Sequence, residues 1–447
     1  MTEDVIKIGE YIIIQKQNYK KLHKLNKPNS SVTLGRDGVN LSGIEGCPYF
    51  SVFRMIPSSK KGREYRLELT DEAVELKDEI DIRASGMDNR NIIDDGRSQK
   101  LSAAEIAEIT NDASKAADIV ETLISNSNTF HNKTEFSQEK YLKKKEKKYF
   151  EYVQILRPNL RFISEIMYRL DPGKIQYIRM DTLSQIITLS NIHSEGVHLL
   201  YDSGSNGLVA AALLSAIGAN TNGKLVHMHP GNMSQKQALL AMNFSEEQNN
   251  RCISVNIYSV LRQYYQGCDT HDAKEATEST EPNPLKRKAE SDEHKSKIPK
   301  LDVEASNDDK EEENGENKNG IEVDTVQNTE NDKPAPKKPK WHFDNITASE
   351  LLTQKVDSLV IACKEDPLHI FNELLPFVKA GRPFVVYYSV AEPLQNLYIE
   401  LKSNPRVVAL KLTCNWMRNY QVLPERTHPE VMMNNQSGFL LTGYVLK

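Results

Sequence analysis

Val197-His-Leu-Leu-Tyr-Asp-Ser-Gly-Ser-Asn-Gly207, running on into Leu208-Val-Ala-Ala-Ala-Leu-Leu-Ser-Ala-Ile217, is the stretch whose reading decides the fold. Val197 to Tyr201 is a short apolar run that suits a strand covered on both faces. From Leu208 the chain is rich in alanine and leucine, which favours a helix, and Gly218 can end it. Gly204 and Gly207 between them mark a tight turn. Strand, turn and helix in that order open a parallel α/β sheet, and Lys224-Leu-Val-His-Met228 and Cys252-Ile-Ser-Val255 supply two further strands.

Working outward, the C-terminal side shows strand-like Val356-Asp-Ser-Leu-Val-Ile-Ala362 and Pro383-Phe-Val-Val-Tyr-Tyr388 around a helical stretch, His369 to Val378. Val407-Val-Ala-Leu410 and Gly438-Phe-Leu-Leu-Thr-Gly-Tyr-Val445 suit the last strands of the same sheet. The α/β domain therefore spans 175–268 and 341–447, with residues 269–340 inserted between its halves. Residues 270–340 hold 19 acidic and 13 basic side chains and almost no aromatic ones, so they cannot bury enough apolar surface to offset the entropy of ordering. A long disordered insertion is predicted, at little cost to the fold. Inside it, Pro284-Leu-Lys-Arg-Lys288 with Lys295, Lys297 and Lys300 fits a nuclear-import signal, and so a nuclear protein; a chance basic cluster in a charged linker would read the same.

On the N-terminal side, residues 1–100 read as β. Tyr11-Ile-Ile-Ile14, Val32-Thr-Leu34, Tyr49-Phe-Ser-Val-Phe53 and Tyr65-Arg-Leu-Glu-Leu69 alternate with turn material such as Gly35-Arg-Asp-Gly38, which predicts a small barrel or sandwich. Residues 101–174 read as a helical connection. Ser102-Ala-Ala-Glu105 has the form of a capping box. A helix from Lys115 to about Ile124 follows, then one from Gln138 that puts Tyr141, Tyr149, Tyr152, Val153 and Leu156 toward protein. Leu160 to Leu170 forms a short helix stopped by Asp171-Pro-Gly173.

The 447 residues suffice for two or three domains. No run of 18 apolar residues argues for a membrane span, and the acidic, mixed start does not read as a secretory leader. Five scattered cysteines without a CxxC pair indicate a reducing compartment, with neither a disulfide framework nor a zinc site. The net charge of −5 is uneven: residues 1–66 carry 12 basic against 6 acidic side chains, and residues 133–161 carry 9 against 4. Such local excess can attract a polyanion or be an ordinary solvated face.

The segment Tyr201–Gly207 is the one constellation resembling a cofactor loop. In a dinucleotide or S-adenosylmethionine pocket, glycines there let the backbone approach the ligand, and an acidic residue after the next strand takes the ribose hydroxyls. Here Ser203, Ser205 and Asn206 intrude, and His229-Pro230 follows the next strand with no Asp or Glu. A purely structural turn and an unusual working pocket both fit these residues. His227 and His229 have no usual metal spacing, so no metal is expected, and Ser203 and Ser205 lack the context of a nucleophile elbow.

Three separated motifs carry a resemblance covering nearly the whole chain except the insertion. They are Asp88-Asn-Arg-Asn-Ile-Ile-Asp-Asp95 with Ser98-Gln-Lys-Leu101; Leu200-Tyr-Asp-Ser-Gly-Ser-Asn-Gly207; and Trp416-Met-Arg-Asn-Tyr420 with Asn435-Gln-Ser-Gly-Phe439. The chain resembles the non-catalytic subunits of eukaryotic tRNA (adenine-58-N1)-methyltransferases. The resemblance implies an α/β chain in which a small β-barrel-like domain precedes a Rossmann-like, class I methyltransferase-type domain. It implies a heterotetramer of two heterodimers with a catalytic paralogue, which holds the S-adenosylmethionine, and it implies tRNA binding. Set against that paralogue's pattern, the acidic and glycine positions of the loop fall on Tyr201, Ser203, Ser205 and Gly207. A shift by one residue recovers Asp202 but loses the glycine match. The ribose-binding acid falls on His229, and the catalytic aspartate of a DxPxP-like motif falls on Ala362, with its prolines on Lys364 and Asp366. Arg418 and Tyr420 match an R-x-Y element and Ser437-Gly-Phe439 a T-G-Y element. No catalytic residue and no cofactor are expected in this chain, since serines would narrow the pocket floor and Ala362 cannot move a proton.

For tRNA the candidates are Lys16, Lys20, Lys21, Lys24, Lys27, Arg36, Lys60, Lys61 and Arg63, expected in turn-rich or solvent-facing places without neutralising carboxylates. A second set is Lys143, Lys144, Lys145, Lys147 and Lys148 on the lysine-rich helix. Two other readings are an active methyltransferase with an unusual pocket, separable by cofactor titration, and a protein scaffold unrelated to RNA, separable by neutralising the basic patches.

Overall fold

A computed structural model describes residues 4–58, 63–70, 86, 98–112, 116–149, 152–267, 339–422, 427–431 and 437–446. The insertion up to residue 338, the motif at 88–95, and Lys60 and Lys61 lie outside the described residues, as do Asn435 and Gln436.

The N-terminal sheet holds β1 (Tyr11–Lys16), β2 (Tyr19–Lys24), β3 (Ser31–Leu34), β4 (Asp37–Asn40), β5 (Val52–Pro57), β6 (Glu64–Thr70) and β7 (Tyr152–Leu156), in the order β2-β1-β7-β5-β6-β4-β3. Ile12, Ile14, Val32, Leu34, Val39, Phe53, Met55, Val153 and Ile155 fill its interior. The sheet is nearly closed, and side chains rather than a main-chain ladder span the gap between its edges. Lys21 Nζ on β2 donates to the Thr33 carbonyl on β3 at 2.7 Å, and Lys16 Nζ meets Asp37 at 2.9 Å. An edge bridged in this way offers fewer free main-chain groups to other chains.

Two readings of the sequence are corrected here. The helix expected from Gln138, with Tyr152, Val153 and Leu156 on its inner face, is α3 and ends at Tyr149; α1 (Ala103–Asp112) and α2 (Ala116–Ser125) precede α3 (Glu135–Tyr149). Tyr152-Val-Gln-Ile-Leu156 instead forms β7, paired with both β1 and β5 in the middle of the sheet. Val153 and Ile155 are buried while Tyr152 and Gln154 are half-buried, a period of two that a helix cannot satisfy. A division at residue 100 therefore cuts through the β domain, and α1–α3 are an excursion from it. The capping box holds as read: Glu105 N–H donates to Ser102 Oγ at 3.3 Å and Ser102 N–H to Glu105 Oε2 at 2.7 Å.

The α/β domain starts with α4 (Leu160–Leu170), capped by Asn159 Oδ1, which accepts from Phe162 N–H, then a 3-10 turn over Pro172–Ile175 and α5 (Met180–Leu189). Its further elements are β8 (Val197–Asp202), α6 (Leu208–Ile217), β9 (Lys224–His229), α7 (Gln237–Ala241), α8 (Glu246–Asn250), β10 (Cys252–Asn256), α9 (Ile257–Gln266), α10 (Lys340–Thr353), β11 (Ser358–Ala362), α11 (Pro367–Leu374), β12 (Pro383–Tyr388), α12 (Glu392–Lys402) and β13 (Val407–Cys414). They end with the short pair β14 (Tyr420–Gln421) and β15 (His428–Pro429), and with β16 (Phe439–Val445). The sheet order is β10-β9-β8-β11-β12-β16-β13. The first five strands are parallel, and β16 runs antiparallel to both neighbours. This is the class I methyltransferase arrangement. The helix read from Leu208 is buried over most of its surface and packs beneath the sheet with Leu200, Val360 and Val385. The two halves flanking the insertion thus share one sheet. No helix among the described residues is long and apolar enough to cross a membrane.

Candidate functional site

The order of strands reverses between β8 and β11, which opens a crevice at their carboxyl ends where sheets of this kind take ligands. The crevice is formed by the turn 203–207 and by Cys363–Asp366. Asp202, at the end of β8, is buried and faces its own loop. Its Oδ1 accepts from Gly204 N–H at 3.0 Å and Ser205 N–H at 2.8 Å, and its Oδ2 accepts from Ser205 Oγ. Ser205 Oγ in turn accepts from Val209 N–H at 3.2 Å, joining the loop to the first turn of α6. Amides that would face a phosphate or a carboxylate in a working pocket are used within the chain. Asp followed by Ser-Gly-Ser is a sequence that favours such an Asx turn, a signal present at 202–205 but not read.

The mouth of the crevice is occupied by side chains of this chain. A Cβ added at Gly204 would collide with Lys364 Cε and come within 2.7 Å of Gln176 Nε2. Ser203 N–H donates to the Ala362 carbonyl at 3.1 Å, and Ser203 Oγ accepts from Lys364 N–H at 2.9 Å, which draws the two loops together. The serines therefore act by tying the loop to itself and to its neighbour, rather than by narrowing an open floor. Nothing local in the sequence marks Lys364 or Gln176 for this place, because they arrive from 160 and 28 residues away along the chain.

His229 ends β9, buried, with its Nδ1 lacking a hydrogen-bond partner; burial lowers its pKa, and it offers no carboxylate for ribose hydroxyls. His227 lies fully enclosed, with Nε2 3.9 Å from Asp202 Oδ2; burial holds its pKa down to about 4 against the opposing pull of Asp202. Ala362 ends β11 with no exposed surface. Tyr201 is buried in the core, and desolvation raises its hydroxyl pKa. Gly207 adopts φ 77° as the residue before α6, and a Cβ there would also meet the Gln235 carbonyl at 2.8 Å. S-adenosylmethionine does not fit this donor set: the loop amides are turned inward, the ribose acid is absent and Lys364 lies over Gly204. Among the described residues, no group of three or more His, Cys, Asp or Glu side chains could hold a metal ion.

Beside the crevice runs a groove of about 980 Å³ between α4, α5 and the tail around Met417 and Asn419. Gln176 and Tyr177 separate the two. Both adopt left-handed backbone, φ 53° and 60°. Tyr177 N–H donates to the Pro172 carbonyl at 2.7 Å, and the buried Ser437 Oγ approaches the Tyr177 carbonyl at 3.3 Å. Ser437 Oγ also accepts from Arg179 N–H at 2.9 Å and lies 2.7 Å from Thr182 Oγ1. Ser437-Gly-Phe439 is thus a fastening for residues 177–182. The Tyr387 hydroxyl donates to the Gln176 carbonyl, and its ring leaves no room for a Cβ at Gly438, where φ is 71°. In the tail, Trp416 and Tyr420 are exposed and Arg418 is half-buried.

The basic residues are not all where the sequence placed them. Tyr19-Lys-Lys-Leu-His-Lys24 is strand β2 rather than turn, because it pairs along its whole length with β1. Lys16 is paired with Asp37, and Lys21 closes the sheet edge. Lys20 Nζ lies 3.6 Å from Glu165 and 5.0 Å from the centre of the Phe162 ring, which docks the β domain against α4. Lys24 is exposed, with its Nζ 5.7 Å from the Tyr11 ring centre. Lys27, Arg36 and Arg63 are exposed. On α3, Lys144 is exposed and Lys145 lies over Tyr141 at 5.1 Å; the side chains of Lys143, Lys147 and Lys148 fall outside the described ones.

Comparison with known proteins places these features. Residues 5–297 match the Gcd10p family. The chain is 31% identical over 456 residues to the tRNA (adenine(58)-N(1))-methyltransferase non-catalytic subunit TRM6 of Mus musculus, covering 98% of this chain and 88% of the mouse protein. It is 29% identical to the same-named subunit of Dictyostelium discoideum, covering 99% and 80%. Among solved structures, a tRNA (m1A58) methyltransferase, TrmI, of Aquifex aeolicus overlays with a TM-score of 0.44 at 12% identity, covering 99% of each chain. On the match over residues 5–297 and the identity that extends across almost the entire chain, the protein belongs to the Gcd10p family.

Proposed function

We propose that this chain is the non-catalytic, tRNA-binding and structural subunit of an S-adenosylmethionine-dependent complex that methylates N1 of adenine 58 in tRNA. A catalytic paralogue supplies the cofactor site and the chemistry. The observation that carries this reading is the crevice at β8 and β11, where Asp202, Ser203, Ser205, Lys364 and Gln176 close on one another. A methyltransferase sheet is kept, and its ligand site is filled from within. The relatives named as non-catalytic subunits of that enzyme support the same assignment.

Two heterodimers associate as a heterotetramer in this proposal, and the basic run at 284–288 directs the chain to the nucleus. RNA contact is assigned first to the exposed members of the basic set: Lys24, Lys27, Arg36, Arg63 and Lys144. Among the described residues of that set, these are the exposed ones.

The test is co-purification with the catalytic paralogue, followed by tRNA methylation by the complex and by each part. The complex should transfer methyl groups, and this chain alone should give no heat on titration with S-adenosylmethionine. A dissociation constant below about 10 μM for the isolated chain would overturn the proposal.

A further inference from the structure

The groove between α4, α5 and the tail is large enough for a nucleotide; small-molecule clefts run from about 300 to 1,000 Å³, and this one has about 980 Å³. Its walls combine cations with aromatic rings. Arg161 is well exposed, and Arg169 stacks over Tyr19 at 4.6 Å while donating to the Lys20 carbonyl. Glu165 is shared between Arg161 at 2.9 Å and Lys20 at 3.6 Å, so one carboxylate answers two cations. Arg179 is held on Asp181 by two hydrogen bonds of 2.7 Å and forms a fixed part of the wall. The rim therefore keeps a positive excess.

Two further observations concern the groove's lining. Ser164, a lining residue with 1% exposure, has its Oγ without a hydrogen-bond partner. Tyr177 stands half-exposed on left-handed backbone, a conformation that costs free energy in a residue with a side chain, fastened there by Ser437. An aromatic ring held out under strain, beside guanidinium groups and an unpaired hydroxyl, suits a base on its face and a phosphate at the rim.

We propose that this groove takes one unpaired nucleotide of the bound tRNA, with the base against Tyr177 and the phosphate toward Arg161 and Arg169. The inference rests on the tRNA-binding function proposed above and names a site for it. The positive rim and the stacking ring favour RNA over a peptide segment of the partner subunit.

The experiment uses the complex with the catalytic paralogue and its tRNA. Tyr177→Gly removes the ring and relieves the backbone, so tRNA affinity should fall at least about fivefold while the melting temperature stays level or rises. Tyr177→Phe keeps the ring and should bind within about twofold of the parent. A photoreactive phenylalanine analogue at position 177 should crosslink to RNA whatever the stability of the glycine variant. Unchanged affinity in Tyr177→Gly, or a crosslink to the catalytic subunit instead of RNA, would overturn the proposal. If methylation by the complex persists in either case, the broader functional reading stands and only this site falls.

Discussion

The crevice at the ends of β8 and β11 and the groove between α4, α5 and the tail meet at the same two residues, Gln176 and Tyr177, yet one is tied shut through its loop amides and the other stands open. In the crevice the loop amides have acceptors within the chain: those of Gly204 and Ser205 on Asp202, and that of Lys364 on Ser203, while the side chain of Gln176 and Nδ1 of His229 at its margin stay unpartnered. In the groove, Ser164 Oγ has no partner and Tyr177 stands half out of the protein. A loop that has lost its ligand must satisfy its own buried amides or destabilise the fold. A site that still meets a ligand can leave groups open. The difference teaches that loss of a cofactor pocket here is a positive structural feature, built from Asp202, Ser205 and Lys364, and not merely the deletion of catalytic side chains.

The largest effect should come from breaking the closed side. Asp202→Ala strips the acceptor from two buried amides and one hydroxyl, and unfolding free energy should fall by roughly 3–4 kcal/mol in denaturant titration. Asp202→Asn, which keeps an amide oxygen, should lose less. A loss below about 1 kcal/mol for the alanine variant would mean that the loop is held by other means.

Acid should open the same side. His227 is neutral in the fold because burial holds its pKa down to about 4, below the ordinary value of 6.5. An unfolded chain takes up that proton first, so the stability from the neutral ring is complete above about pH 6.5 and is lost as pH falls toward 4. Between pH 7 and 5 the loss should be on the order of 2 kcal/mol from this residue. Thermal melting across that range, compared with His227→Gln, reads it; parallel curves for the two proteins would reject the assignment.

The smallest expected effect separates the two kinds of lysine. Lys21→Ala opens the edge of the β domain and should cost about 1 kcal/mol of stability. The triple change Lys27→Ala, Arg36→Ala, Arg63→Ala should leave melting unchanged and flatten the salt dependence of tRNA binding, by a little under one logarithmic unit for each phosphate that is no longer neutralised. Equal melting temperatures for both variants would erase the distinction drawn from Lys21 Nζ and Thr33.

Much of the fold was legible because its elements are locally consistent. Leu160–Leu170, Leu208–Ile217 and Pro383–Tyr388 have the bounds that their apolar runs and flanking signals predict. β2 was not legible: Tyr19-Lys-Lys-Leu-His-Lys24 has one aliphatic residue, and only its pairing with β1 and its packing on α4 make it a strand. β7 was masked by the lysine-rich helix before it, whose aromatic residues share a helical face with Tyr152 and Val153. In both places long-range pairing outweighed local preference.

The sequence by itself determined that an α/β sheet is present and that its ligand loop departs from a working pattern, since strand runs, glycine turns and missing acids are local properties. It also set the uneven charge. Only the tertiary structure decided how the empty pocket is resolved and which cations remain free. Lys364 reaches Gly204, Glu165 reaches Lys20 and Ser437 reaches Tyr177 across 160, 145 and 260 residues of chain. Side-chain partners so far apart are chosen by packing geometry, which local sequence does not encode; a lysine of β2 and a lysine of the following loop look alike until the fold gives one of them a partner.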